Sequence, residues 1–189
     1  PASTSVSTAS TVNSFGRVTP KIGLTYNLRN TGFYANYSQG YVPPQLTDLY
    51  SSIKEAPYLL PQSFFNYEIG GWASLVENKI YLDWSLYRLN GTNEIISVKQ
   101  PDNSYINQNA GSTRHTGIEY GITYKPVPDL SVRFSATNAR HVFVHNIVKG
   151  VNFNGKEMSA APRFMANAEI MYKPSFLQRF RISAEWQHQ

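Results

Sequence analysis

Histidine is the side chain in this sequence with the widest choice of chemistry, because imidazole binds metals and exchanges protons near neutral pH. The chain has four, His115, His141, His145 and His188. His141 and His145 are four residues apart, which would place both on one face of a helix, but the residues around them carry no helical pattern. The set also lacks the spacing of a metal site, so we interpret all four as polar residues of loops and strand ends.

Carboxylates recur at positions that alternate with apolar residues, and arginines occupy equivalent positions. On such a pattern we expect acidic groups to pair with arginine across neighbouring strands, instead of working as general acids and bases. The sequence therefore predicts no catalytic site, no metal site and no cofactor, and we expect the protein not to be an enzyme. These residues are Glu68, Asp83, Glu119, Arg133, Arg163, Glu169, Arg181 and Glu185.

The composition restricts the class of protein. Of the 189 residues, 41% are hydrophobic, 14% are aromatic and only 15% are charged, a balance that suits strands and interfaces. The net charge is +5 without a block of Lys or Arg, which argues against a nucleic-acid partner. No apolar run approaches the roughly 18 to 20 residues of a membrane helix. The start at Pro1 shows no signal peptide, so we expect either a cytosolic protein or a mature or truncated piece.

The pattern that organises the chain is clearest over residues 114–141. From Ile118 to Tyr124 apolar and polar residues alternate, a turn is expected at 125–129, and the alternation resumes from Leu130 to Thr137. Side chains of a strand point alternately to opposite faces, so this stretch predicts a hairpin with one apolar and one polar face.

The same unit repeats along the chain. We predict about eight strands of roughly ten residues, with short turns near positions 30, 78, 127 and 174 and long loops near 52, 101 and 152. Strand-like segments at 94–98 and 104–107 are interpreted as the flanking strands extending into the second loop. Strict alternation of short and long connections is typical of an outer-membrane β-barrel.

A soluble β-sandwich would show the same alternation, with the apolar face buried and the charged face wet. Two features favour the membrane barrel. The strands have about the length that a tilted strand needs to cross a bilayer. Aromatic residues also lie at the edges of the apolar bands, as in an interfacial girdle. These aromatic residues are Tyr26, Tyr37, Tyr67, Tyr124, Tyr172 and Trp186.

Four short motifs follow one another on strand ends. They are YANYSQGYVPPQLTDLY at 34–50, FNYEIG at 65–70, EIISV at 94–98 with NAGSTRHTGIE at 109–119, and APRF at 161–164. In this order they resemble the barrel of TonB-dependent outer-membrane receptors, especially the ferric-siderophore class. The resemblance extends from about Phe15 to Gln189.

The resemblance implies a fold and a function. The fold would be all-β, an antiparallel up-and-down transmembrane barrel of about 22 strands, of which residues 1–189 supply about eight as a single partial domain. Its extracellular loops would lie near 41–64, 90–113 and 142–162. The function would be import of a ferric siderophore or similar chelate across a Gram-negative outer membrane, without covalent chemistry. Outer-membrane lipid and the TonB complex would be partners, the latter through a plug domain and TonB box that this sequence lacks.

The resemblance also implies where ligand would first be held, in the vestibule formed by long loops and upper strand ends. Arginine suits an anionic chelate through charge-assisted hydrogen bonds, and tyrosine offers a stacking face with a polar tip. The expected contacts are Tyr41, Gln45, Tyr50, Arg114, His115 and Arg140.

Two alternatives stay open from sequence. One is a self-contained eight-stranded outer-membrane barrel with a structural or adhesive role, since eight strands can close on a lumen filled by side chains. The other is a soluble ligand-binding barrel.

Overall fold

A computed structural model of the chain describes residues 14–45, 59–100, 102–148, 150–159, 161–177 and 179–189. The regular structure in these ranges consists of twelve β-strands. No helix in the described ranges is long and apolar enough to cross a membrane.

Eight of the strands form one antiparallel sheet, in the order β1-β2-β3-β4-β7-β8-β11-β12. This confirms the predicted all-β, up-and-down arrangement, in which neighbours in the sheet follow one another along the chain. The strands are β1 (Lys21–Asn27), β2 (Thr31–Val42), β3 (Gln62–Leu75), β4 (Ile80–Thr92), β7 (Ser112–Val127), β8 (Leu130–His145), β11 (Phe164–Tyr172) and β12 (Ile182–His188).

The connections alternate between the two ends of the sheet, as predicted. Residues 28–30, 76–79, 128–129 and 173–181 join strands at one end, which we call the turn end. Residues 43–61, 93–111 and 146–163 join them at the other, which we call the loop end. Tyr50 falls in the first long loop, outside the described residues.

The two faces of the sheet differ in polarity. The apolar face carries Ile69, Leu86 and Ile118 in one cross-strand row, and the polar face carries Glu68 and Glu119. Many large side chains of the apolar face are exposed, including Ile69, Leu86 and Ile118. An apolar sheet face of this extent is what a lipid-facing barrel wall presents.

The described residues form an open sheet. Strand β1 pairs only with β2, and β12 pairs only with β11, so both outer strands have an unpaired edge within the described ranges. The alternative of a closed eight-stranded barrel is therefore wrong for this arrangement, because closure requires the first and last strands to pair.

The turn expected at 125–129 is shorter than predicted. Strand β7 runs on to Val127 and β8 begins at Leu130, so only Pro128 and Asp129 form the turn. The ladder shifts register between Tyr124 and Val127, a bulge that contains Pro126. A proline cannot donate a ladder hydrogen bond, and a bulge is one of the few strand positions that tolerates it.

The second long loop carries a separate hairpin instead of extensions of β4 and β7. Strands β5 (Ile95–Lys99) and β6 (Tyr105–Asn109) pair only with each other in the described structure. Asn93, with φ of 57°, takes the left-handed conformation between β4 and β5 and redirects the chain. The third loop contains the short pair β9 (Ile147–Val148) and β10 (Val151–Asn152).

On the polar face, aromatic rings lie over glycines of the neighbouring strand. Tyr34 is opposite Gly70, and a Cβ at Gly70 would be 2.5 Å from the Tyr34 ring and 2.6 Å from the backbone oxygen of Trp84. The Tyr34 hydroxyl is thereby held against Glu68, donating to its Oε1 over 2.6 Å. Covering of a strand glycine by a cross-strand aromatic residue is a known device that pins register.

We expect Gly70→Ala to lower the free energy of unfolding by about 1–3 kcal/mol, because the new methyl group would lie too close to the Trp84 backbone oxygen, which cannot move without displacing the strand. Urea titration monitored by tryptophan fluorescence measures the change. Gly40→Ala is the matched control, since its Cβ would be 3.5 Å from Phe64, an ordinary contact. Equal stability of the two variants would contradict the packing role of Gly70.

Candidate ligand-binding site

Four polar residues meet on the polar face at the loop end, and we call them the rim cluster: Glu94, Thr113, His115 and His141. The Thr113 hydroxyl donates to Glu94 Oε2 over 2.6 Å, and His115 Nε2 lies 3.3 Å from the same oxygen. The Nδ1 atoms of His115 and His141 are 2.7 Å apart. The cluster is therefore one connected hydrogen-bond network.

Strand pairing and a loop bring the rim cluster together. His115 of β7 is directly opposite His141 of β8, so both rings leave the sheet on the same face. Glu94 reaches them from the loop after β4. Gly91 leaves the room for this contact, since a Cβ there would be 2.4 Å from the Thr113 hydroxyl oxygen.

The network has a direction set by donor and acceptor chemistry. An ionised carboxylate only accepts hydrogen bonds, so His115 donates to Glu94 from Nε2. In a neutral ring this leaves Nδ1 of His115 as an acceptor for the Nδ1–H of His141. Burial raises the pKa of the Glu94 carboxyl, but the hydrogen bonds from His115 and Thr113 outweigh burial and hold the pKa below its ordinary value of 4.5.

The first and second long loops are joined beside the rim cluster. The Asn109 side chain accepts from the Leu60 backbone N over 2.8 Å and donates to the Leu60 backbone O over 2.9 Å, much as a strand residue would. Its amide also donates to the Asn93 backbone O over 2.7 Å, and Gln62 accepts from the Ile95 backbone N over 3.0 Å. These bonds hold the start of the β5–β6 hairpin against the end of the first loop.

The third loop folds back along the upper part of β8. The backbone N of Met158 donates to the His141 backbone O over 2.9 Å, and the Phe143 backbone N donates to the Lys156 backbone O over 3.0 Å. Glu157 of this segment bridges two arginines, with Oε1 3.1 Å from Arg140 Nε and Oε2 2.7 Å from Arg163 Nε.

The structure divides the predicted ligand contacts between the two faces. His115 lies on the polar face in the rim cluster. By strand alternation Tyr41, Arg114 and Arg140 share the apolar side of the sheet, above the apolar band. Gln45 follows β2 and is exposed, and Tyr50 is outside the described residues. The described members are thus not brought together in one pocket.

Three members of the rim cluster, Glu94, Thr113 and His141, are absent from the ligand contacts predicted from sequence. The sequence pattern indicates only that His141 is a polar residue of a loop or strand end, and it gives no signal for Glu94 or Thr113. The nearly symmetric spacing of His115 and His141 about the predicted 125–129 turn indicates that the two residues lie near each other. A hairpin that pairs Tyr124 with Leu130 across that turn, however, places His115 opposite Ala139. The two-residue turn at 128–129 alone would pair His115 with Val142, and the one-residue bulge between Tyr124 and Val127 moves the pairing to His141.

The rim cluster can donate and accept hydrogen bonds, and its histidines can exchange protons. Among the residues that the structure describes, no group of three or more His, Cys, Asp or Glu side chains is placed to hold a metal ion. The carboxylate of Glu68 has partners in Tyr34 and in Asn66, whose amide donates over 3.3 Å. The register also puts Arg133 opposite Glu169, the cross-strand arrangement expected from sequence.

A family model for the TonB dependent receptor-like β-barrel matches residues 2–188. The chain belongs to the TonB-dependent receptor β-barrel family. Proteins of this family are receptors and transporters of the Gram-negative outer membrane, not enzymes. No curated protein sequence matches the chain.

Solved structures of a copper transporter and of siderophore receptors share the fold. The copper transporter OprC superposes with a TM-score of 0.70 at 15% identity, covering 88% of this chain and 25% of OprC. The ferripyoverdine receptor of the Pseudomonas aeruginosa outer membrane, bound to ferripyoverdine, gives 0.63 at 20% identity, covering 91% and 22%. The siderophore receptor PiuA from Acinetobacter baumannii gives 0.63 at 20% identity, covering 87% and 25%. The chain thus spans about a quarter of the length of these receptors, and identities this low carry the fold alone.

We expect the β5–β6 hairpin to lose protection from hydrogen exchange as the pH falls from about 5 to about 3, after correction for the intrinsic exchange rate. A carboxyl whose folded pKa is lowered contributes stability above its unfolded pKa, and that stability is lost as pH falls through the folded value. Glu94→Gln should show no such loss over this window, whereas Glu77→Gln, at the turn end, should behave as the parent protein. If Glu94→Gln lost protection over the same pH range as the parent protein, the Glu94 carboxyl would not be the group that stabilises the hairpin.

We expect Asn109→Ala to loosen the junction between the first two loops by about 0.5–1.5 kcal/mol, because it removes the hydrogen bonds to the exposed Leu60 backbone N and O, which water then solvates. The faster exchange should appear at the Leu60 amide and in β5, measured by hydrogen–deuterium exchange with mass spectrometry. Gln108→Ala, the neighbouring position on the other face of β6, is the control. Unchanged exchange at Leu60 in Asn109→Ala would show that the clamp does not hold the loops.

Proposed function

We propose that this chain is part of the barrel of a Gram-negative outer-membrane receptor that binds and imports a ferric siderophore or a similar metal chelate. Binding involves no covalent chemistry. Transport across the membrane is driven by the TonB complex acting on a plug domain within the barrel. The family membership supports the receptor class, and the ferripyoverdine complex of a protein with the same fold supports a chelate as the ligand.

The rim cluster is the observation that carries the proposal for this chain. It lies on the polar face, which in a closed barrel lines the lumen, and at the end where the long loops gather. Its polar groups are held in place by Thr113, only 1% exposed, and by the loop junction at Asn109. A pre-organised set of donors and acceptors at the mouth of a barrel suits capture of a polar ligand.

Within the cluster, His141 is the group best suited to meet ligand. Glu94 and Thr113 bind each other, and His115 lies between Glu94 and His141, so the free ring nitrogen of His141 ends the network. The Nδ1 atom of His141 is bonded to the His115 imidazole, which holds the His141 ring in one orientation. Its Nε2 atom is thereby presented as a donor or acceptor at a defined position. Direct ligand contact by Tyr41, Gln45, Tyr50, Arg114, His115 and Arg140 stays a prediction.

Binding of ferric chelates to the full receptor that contains this chain tests the proposal. We expect a panel of catecholate, hydroxamate and mixed ferric siderophores to contain at least one that quenches tryptophan fluorescence at submicromolar concentration. His141→Ala should weaken that binding roughly ten- to a hundredfold, since a hydrogen bond involving a charged group is worth about 1.5–3 kcal/mol. Uptake of the labelled chelate by cells should require an intact TonB complex.

His188→Ala is the matched control, because His188 ends β12 and stacks on Trp186 away from the rim cluster. We expect its affinity to equal that of the parent receptor. A receptor that binds no ferric chelate, or uptake that is independent of the TonB complex, would overturn the proposal.

A further inference from the structure

Three arginines form a patch on the apolar side of the sheet at the loop end, and we call it the arginine patch: Arg88, Arg114 and Arg140. Arg88 and Arg140 flank Thr116 in one cross-strand row, and Arg114 lies between Asn90 and Val142 in the next row toward the loops. Three neighbouring strands each contribute one arginine. The patch therefore results from register and is not visible as a run of basic residues in sequence.

The arginine patch begins in the same cross-strand row as an aromatic pair. Tyr67 is directly opposite Arg88 on one side and Tyr37 on the other, and the two tyrosine rings are 5.2 Å apart. Below them begins the exposed apolar band. Tyrosine at such a boundary marks the interface between hydrocarbon and lipid headgroups in membrane barrels, so this row and the next one toward the loops are at headgroup level.

The patch keeps most of its positive charge. Glu157 is the carboxylate that contacts it, and Glu157 also binds Arg163 outside the patch. Arg88 donates to the neutral amide of Asn90 over 3.2 Å. The Arg140 side chain is 65% exposed and Arg88 is exposed, so both present guanidinium donors at the surface of the sheet. Arg114 is half-buried, and its Nε is buried without a hydrogen-bond partner among the described residues. Planar guanidinium groups with free donors match the geometry of a phosphate.

We propose that the arginine patch binds the anionic phosphate headgroup of a membrane lipid in the leaflet that surrounds the loop end. This rests on the membrane placement in the proposed function, but not on the identity of the chelate. The lipid's acyl chains lie against the apolar face below the tyrosine pair, while its phosphate is held by the three guanidinium groups. A free phosphate lacks the apolar part and gains only the charge contacts.

The test uses the full receptor containing this chain, delipidated and held in nonionic detergent micelles at about 0.15 M salt, where charges are screened over about 8 Å. Native mass spectrometry measures binding of dioleoyl phosphatidylglycerol, dioleoyl phosphatidylcholine and inorganic phosphate. We expect phosphatidylglycerol to bind in preference to both others. In R88Q/R114Q/R140Q its binding should weaken roughly a hundredfold, from about fivefold for each basic residue near an anionic lipid.

The charge-matched control is K79Q/K125Q/K173Q, which removes three cations at the turn end and should change phosphatidylglycerol binding less than about twofold. Should the triple arginine variant not fold, Arg140→Gln alone should give about a fivefold loss. Equal binding of the two lipids, displacement of phosphatidylglycerol by inorganic phosphate, or an equal loss of lipid binding in the lysine control would overturn the proposal that the arginine patch binds lipid. None of these results would bear on chelate import. A receptor that does not enter micelles would overturn both.

Discussion

The absence of an interior is the constraint on which this structure depends. A single sheet has two faces and no core between them, and the buried apolar residues among those described are only Leu59, Ala110, Ala136 and Ala166. Stability must then come from the ladder hydrogen bonds and from what each face contacts. The apolar face needs an apolar surrounding, and the polar face must satisfy its own polar groups side by side.

The polar face meets this requirement by pairing residues across strands. Glycines opposite Tyr34 and Trp72 leave room for these rings over the neighbouring strand, and the Tyr34 ring brings its hydroxyl donor to the Glu68 carboxylate. Near the loop end the same principle produces the rim cluster, where a carboxylate, a hydroxyl and two imidazoles satisfy one another. The rim cluster thus follows the same pairing principle as the rest of the polar face.

The two ends of the sheet serve different purposes. At the turn end the connections are short, and at the loop end the chain folds back on itself. The third loop pairs with β8 above the point where β11 stops, so Lys156 and Met158 cover a strand edge that would otherwise be open. The first two loops are tied by Asn109. Both arrangements hold polar residues of the loop end at defined positions, on the polar side in the rim cluster and on the apolar side in the arginine patch.

The sequence by itself determined the strands, the alternation of short and long connections and the polarity of each face, because a period of two residues is local and strong. It also indicated the family through motifs on strand ends. Only the tertiary structure decided which residues meet. A bulge at Pro126 puts His115 opposite His141, the left-handed Asn93 turns Glu94 toward them, and three strands align Arg88, Arg114 and Arg140. Pairing register depends on single-residue offsets between distant segments, and alternation alone carries no information about those offsets.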